Sequence, residues 1–344
     1  MDVPKIVIIG QNYVLWGQGV NEYFQVTYFA NNRPNTVLVC DNQFNIDHIK
    51  SLKPDMIWFV YVGSMSNPGI LDQCATLGVP MGLMCPDLFR VRDIANVSTT
   101  GRLDVIMGMA YNKGMYDEFE RLFPHVMFRS FSSRFVDIEQ FYPTDVDKEY
   151  DILYYGSNDV VIASPLSDVD EKWFASQGID PIPATYNFYP LRKRLFDLLQ
   201  KNQARYRIKL LTPTGSCGAP FKNRDLADLI NKSYLTIATT SRVDHIFTKH
   251  IEISAANSVV LGNYPTDFEA MFKGNVVEVS MEMSDEEILA VIDEALADKP
   301  RLLEISKRMS EVVLRYHNYA VSLDELNKVT LETITAKSNR EDVN

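Results

Sequence analysis

Several things are scarce in this sequence, and each scarcity excludes a class of protein. Its 344 residues contain only four cysteines, Cys40, Cys74, Cys85 and Cys217, and no two of them form a Cys-x-x-Cys pair. The five histidines are dispersed and do not lie near the cysteines. Neither a disulfide framework nor a metal site is expected, and buried thiols in a reducing compartment are the plain reading. Positive charge is short: 34 Lys and Arg face 45 Asp and Glu, a net charge of −11. That balance argues against broad binding to a phosphate backbone but leaves room for a local basic cleft. Long apolar runs are missing too. The most apolar stretch, MIWFVYVG (56–63), is far shorter than the roughly 20 residues of a membrane-spanning helix. The opening MDVPKIVIIG has a brief apolar run with no cationic prelude, so a secretory signal is not expected. A cytoplasmic protein follows, or one of the host cytoplasm if the source is viral. There is no internal repeat and no low-complexity tract. What is present, 46% hydrophobic and 23% charged residues, is ordinary globular composition and excludes disorder as the main state. The length suggests about two domains.

The first part of the chain alternates short β-rich runs with longer mixed segments. KIVIIG (5–10), TVLVCD (36–41), MIWFVYVG (56–63), VPMGLMC (79–85), LDVIMGM (103–109) and HVMFRS (125–130) read as strands. Most are apolar at consecutive positions, as strands covered on both faces must be, so a parallel sheet flanked by helices is expected. A polar stretch at 143–151 precedes a second series: ILYYG (152–156), YRIKLLT (206–212), YLTIATT (234–240), SVVLGN (258–263) and NVVEVS (275–280). Helical segments lie between these strands at 190–202, 223–232, 247–257 and 284–298, with Ser284 capping the last. Residues 299–337 read as helix with a break near 318–322, and 336–344 as a frayed tail. The segment 157–189 carries three prolines, Pro165, Pro181 and Pro183, with Pro190 just beyond it, and no strand signal, a long connection of the kind that is often functional.

The expected fold is therefore α/β, with two Rossmann-like parallel-sheet domains facing a central cleft. Domain one spans 1–145 and domain two 146–320. In such sheets ligands bind beyond the carboxyl ends of strands. The turn after the first strand holds Gly10, Trp16 and Gly17, a candidate phosphate or acceptor loop or else a plain tight turn. Asp87, the first carboxylate after VPMGLMC, is a candidate general base or a helix N-cap. The segment RVDHIFTKHIEISAANSVVLGN (242–263) runs loop, helix, strand. Lys249 and Glu252 share a helical face there. A lysine at a helix start suits a diphosphate, and a carboxylate one turn on can accept two hydrogen bonds from a ribose diol. Asp244 lies in the loop ahead of them. A surface Lys–Glu pair is the alternative. Arg192 and Arg194 precede an amphipathic helix and could reach donor phosphates, or form a solvated cationic face. Two further turns after strands hold Gly156 and Ser157, and Thr214 and Ser216.

In order, YDILYYGS (150–157), YPLRKRLFDLL (189–199), NRDLADLINKSYLTIATT (223–240) and TKHIEISAANSVVLGNYPTDFEAMF (248–272) resemble the donor half of group 1-like glycosyltransferases of the GT-B fold. The branch related to spore-maturation glycosyltransferases is the most similar in pattern. Asp244 and Glu252 resemble that family's two acidic residues separated by seven, with Asp in place of the first Glu, and Asn257-Ser258 replaces its small-residue–Gly pair. The layout is also similar to that of phage DNA-base glucosyltransferases, in which an Asp beyond a first-domain strand is the base; Asp87 is comparably placed. The resemblance implies a nucleotide-diphosphate sugar as co-substrate, a UDP-sugar being favoured, with no cofactor, and an acceptor bound by the first domain. It implies a last helix, 321–344 with its tail, that returns to the first domain.

The function expected is transfer of a hexosyl or pentosyl group to a hydroxyl acceptor, without a metal. A glycan or small polyol is preferred as acceptor. Nucleic acid is admitted but not favoured, although Arg205, Tyr206, Arg207 and Lys209 make a basic-aromatic patch. A nucleotide-sugar epimerase and a non-catalytic nucleotide- or sugar-binding protein are the alternatives.

Overall fold

The computed structural model describes residues 3–10, 21–60, 68–85, 98, 100–108, 113–130, 135–156, 161–162, 186–187, 189–211, 223–241 and 246–341. Its first sheet has six parallel strands: β1 (Ile6–Gly10), β2 (Thr36–Cys40), β3 (Met56–Val60), β4 (Met81–Cys85), β5 (Val105–Gly108) and β6 (Met127–Ser130). Helices α1 (Asn21–Asn32), α2 (Ile46–Leu52), α3 (Pro68–Ala75) and α4 (Lys113–Leu122) lie between them in sequence. Every residue of β1 and β3 is buried, the double coverage that an unbroken apolar run requires.

The second sheet is built from β7 (Tyr150–Tyr155), β10 (Ile208–Leu211), β11 (Ser233–Ala238), β12 (Val259–Gly262) and β13 (Val277–Glu278), all parallel. Two short strands, β8 (Val161–Ile162) and β9 (Tyr186–Asn187), pair antiparallel by themselves within the stretch that gave no strand signal. Two residues are too few to display a period, which is why the pattern missed them. The helices here are α5 (Pro190–Lys201), α6 (Asn223–Asn231), α7 (Thr248–Ala255), α8 (Glu269–Phe272), α9 (Asp285–Ala297) and α10 (Lys299–Tyr316). Ser284 caps α9 as expected, its hydroxyl accepting from the Glu287 N–H while the Glu287 carboxylate accepts from the Ser284 N–H.

The two sheets share one winding order. The first reads β2-β1-β3-β4-β5-β6 and the second β10-β7-β11-β12-β13. In each, the chain steps once to one side of its first strand and then crosses to the other side. The reversal falls between β1 and β3, and between β7 and β11. Beyond the carboxyl ends of such a pair the connections diverge and leave a crevice.

The chain divides into two compact units, residues 1–133 with 319–344, and residues 134–318. The polar stretch before β7 is anchored on the second unit. Asn231 accepts from the Thr144 N–H and donates to the Tyr142 carbonyl, and Lys148 donates to the carbonyls of Ser233 and Asn257. The last helix, α11 (Tyr319–Glu341), belongs to the first unit. Its Leu326 and Val329 join Ile6, Ile8, Phe29, Trp58 and Met107 in one core. Buried Trp58 donates its indole N–H to Thr330 Oγ1 at 3.1 Å. The break preceding this helix falls at His317 and Asn318. Fraying is expected from residue 336, and α11 is helical through Glu341, the last described residue. Lys337 secures that last stretch by donating to the Val79 carbonyl and to Asp104.

Candidate functional site

At the carboxyl end of the second sheet, where the winding reverses, residues from three elements meet. Tyr155 ends β7 and Gly156 follows it; α5 supplies Arg192; α7 supplies Lys249 and Glu252. The two α7 residues are three apart and so share a face. The start of α7 is held by buried His250, whose Nε2 donates to the Asn263 carbonyl at 2.9 Å. A carbonyl can only accept, so Nε2 carries the proton. Nδ1 is left to accept from the Phe247 N–H at 3.3 Å. Burial lowers the His250 pKa to about 4, in keeping with this neutral ring.

Tyr155 touches both α7 side chains. Its phenol donates to Glu252 Oε2 at 2.8 Å, its backbone carbonyl accepts from Lys249 Nζ, and its ring centroid lies 4.4 Å from the same nitrogen. Tyr155 and Glu252 are both buried. Burial first, then the charge of Glu252, push the phenol well above its ordinary pKa, so it remains a donor. Lys249 is half-buried as a residue, with its amine packed inside the protein. Burial and then the nearby Arg192 charge pull its pKa well below the ordinary lysine value, and Glu252 opposes them.

Arg192 is only 4% exposed. Its guanidinium carbon sits 3.7 Å from the Tyr189 ring centroid and 5.6 Å from that of Phe247. Its Nε and Nη2 meet no hydrogen-bond partner among the described residues. A guanidinium stays charged at any ordinary pH. Among the described residues, a buried cation with two idle donors beside a second basic group is a suitable place for an anion, because desolvating a cation is costly unless it is paired. Gly156 makes room for the arrangement. It adopts φ +101°, and a methyl group on its Cα would overlap Lys249 Nζ.

Of the residues picked from the sequence, the fold brings together Lys249, Glu252, Arg192 and Gly156. Arg194 is engaged elsewhere. Its Nε and Nη2 donate to Asp285 at 3.0 and 2.8 Å and its Nη1 to the Met281 carbonyl, tying α5 to the start of α9. Both arginines flank the same helix start, and only packing separates their roles. Gly10 is the buried last residue of β1. Asp87, Asp244, Ser157, Thr214, Ser216, Trp16 and Gly17 lie outside the described residues. Tyr155 was not picked: within ILYYG it reads as one more apolar strand residue. Two arginines of the basic-aromatic patch are taken up by carboxylates, Arg205 by Asp293 and Arg207 by Asp151. Among the described residues, no group of His, Cys, Asp or Glu could hold a metal ion, and no helix is long and apolar enough to cross a membrane.

Residues 192–328 match the family described as glycosyl transferase-like. Among solved structures, sucrose-phosphate synthase from Thermosynechococcus elongatus aligns at TM-score 0.60 and 12% identity, over 96% of this chain and 100% of that one. HepE from Anabaena in complex with UDP aligns at 0.58 and 9% identity, over 95% and 100%. A glycosyltransferase from Rickettsia africae aligns at 0.54 and 10% identity, over 96% and 99%. No curated protein matches the sequence. The chain has the GT-B glycosyltransferase fold.

The resemblance to group 1-like GT-B glycosyltransferases therefore stands, and the pair that departs from that pattern, Asn257-Ser258, sits at a turn. The turn from α7 to β12 needs a left-handed residue, and Asn257 takes φ 57° there. Asparagine is among the few side chains that tolerate this region. Its Oδ1 accepts from the Ser306 hydroxyl at 2.8 Å, and the Ser258 hydroxyl lies 2.8 Å from that of Thr236. Side-chain hydrogen bonds from Asn257 and Ser258 thus secure this turn.

Proposed function

We propose that the protein transfers a glycosyl group from a nucleoside diphosphate sugar to a hydroxyl acceptor, with the donor held at the carboxyl end of the second sheet. The observation that carries this reading is the buried Arg192, with two N–H donors idle among the described residues, beside Lys249 and Glu252 at the point where the winding reverses. Arg192 and Lys249 take the diphosphate, and the Glu252 carboxylate takes the ribose diol. In the reaction the anomeric carbon–phosphate oxygen bond breaks and a bond from that carbon to the acceptor oxygen forms. The acceptor proton passes to a base, for which Asp87 is the candidate, and attack opposite the leaving group inverts the anomeric centre. Negative charge develops on the departing diphosphate, and fixed cations at that position stabilise it. Solved HepE complexes contain UDP and UDP-glucose, which supports a uridine donor here. A glycan or small polyol is the acceptor proposed.

The test is a melting-temperature panel with UDP, GDP, CDP, ADP and dTDP, followed by calorimetry on Lys249→Ala. A nucleotide at about 100 times its Kd stabilises the native state by about 2.7 kcal/mol. One nucleotide, UDP by this reading, is expected to raise the melting temperature, and Lys249→Ala to weaken its binding about tenfold or more. No response to any of the five, or an unchanged affinity in the variant, would remove the basis of the reading.

A further inference from the structure

Resting on that donor reading, we infer that Tyr155 is the positioning residue of the site, setting the ribose-directed carboxylate of Glu252 with its phenol and the amine of Lys249 with its backbone carbonyl. Both ligands are long side chains with several rotatable bonds, and left to themselves they lose orientation. Tyr155 has no such freedom. It ends β7, which is hydrogen-bonded to β10 on one side and β11 on the other, and its side chain is buried. The phenol donates to Glu252 Oε2 at 2.8 Å. A carboxylate 6% exposed is stabilised in its charged form by such a donor. The Tyr155 ring forms a wall beside the Lys249 amine, and its carbonyl accepts from it. The high pKa of the phenol keeps the donor protonated throughout.

Because one arm uses the side-chain hydroxyl and the other the backbone and ring, removing the hydroxyl separates them. Calorimetry with UDP, 2′-deoxy-UDP and inorganic pyrophosphate on wild type, Tyr155→Phe and Glu252→Ala tests this. Wild type is expected to prefer UDP over 2′-deoxy-UDP. Tyr155→Phe should cut that preference about tenfold while leaving pyrophosphate affinity within about twofold of wild type. Glu252→Ala should abolish the preference. If Glu252→Ala abolishes it and Tyr155→Phe keeps it, the inference is overturned and the donor reading stands. Should Tyr155→Phe lose pyrophosphate affinity with the preference unchanged, the hydroxyl is merely structural and the inference is again overturned. If wild type has no preference, or Glu252→Ala retains it, Glu252 does not bind ribose and both fall. Placing p-aminophenylalanine at position 155 restores an N–H donor. It must keep the wild-type preference, and it decides the question if Tyr155→Phe does not fold.

Discussion

One methyl group at Gly156 perturbs both the backbone and the site. In Gly156→Ala the new Cβ overlaps Lys249 Nζ and lies 3.1 Å from Lys249 Cε, so the amine must retreat by on the order of an ångström. The obstacle is the far end of a flexible chain, so the collision itself costs folding little. The larger folding cost is conformational: at φ +101° a residue with a side chain is strained by about 1–3 kcal/mol. Binding suffers separately. The retreating amine leaves the Tyr155 carbonyl and ring, and with them its place at the diphosphate. A hydrogen bond to a charged group is worth about 1.5–3 kcal/mol, so nucleotide affinity should drop roughly 10- to 150-fold. Urea denaturation reads the first effect and calorimetry on the folded variant reads the second. Gly156→Ala and Lys249→Ala act through one group, so the double variant should bind no worse than Lys249→Ala alone. A folded Gly156→Ala protein with wild-type affinity would refute the reasoning, since the amine would then not be needed where it sits.

Two further expectations concern stability. Thr330→Val keeps the shape of the side chain but removes the acceptor for the buried Trp58 N–H, and should lower unfolding free energy by about 1–3 kcal/mol in chemical denaturation; a neutral outcome would mean that α11 is held without this bond. Lys148 is titrated by folding, since burial lowers its pKa from 10.5 to about 8. Between those values the unfolded chain binds more protons than the folded one, so this group adds stability as pH rises from about 8 to 10.5 and withdraws it as pH falls back. Its slope cannot exceed about 1.4 kcal/mol per pH unit. Denaturation curves across that window should show the difference in slope between wild type and Lys148→Met; parallel curves would contradict the assigned shift.

Much of the fold was legible because its signals are local. The runs KIVIIG and MIWFVYVG read as strands covered on both faces, and β1 and β3 are buried at every position. Ser284 and the acidic residues after it announced the start of α9. The site was legible in part. Lys249 and Glu252 were readable because helical spacing alone puts them on one face. Tyr155 was not, since nothing in an apolar strand distinguishes a phenol that packs from one that donates to a carboxylate 97 residues away.

Arg192 and Arg194 mark the same boundary. They stand two apart on one helix, with equal charge and equal reach, and no local rule ranks them. Packing does: α9 brings Asp285 to Arg194, while the rings of Tyr189 and Phe247 enclose Arg192 and leave two of its N–H groups idle among the described residues. Hydrophobic periodicity and capping depend on near neighbours, and so they determined most of the strands and helices and the parallel sheets. Burial and the choice of partners depend on residues far apart in the chain, and it took the assembled second sheet to select which of the basic groups converge on Tyr155.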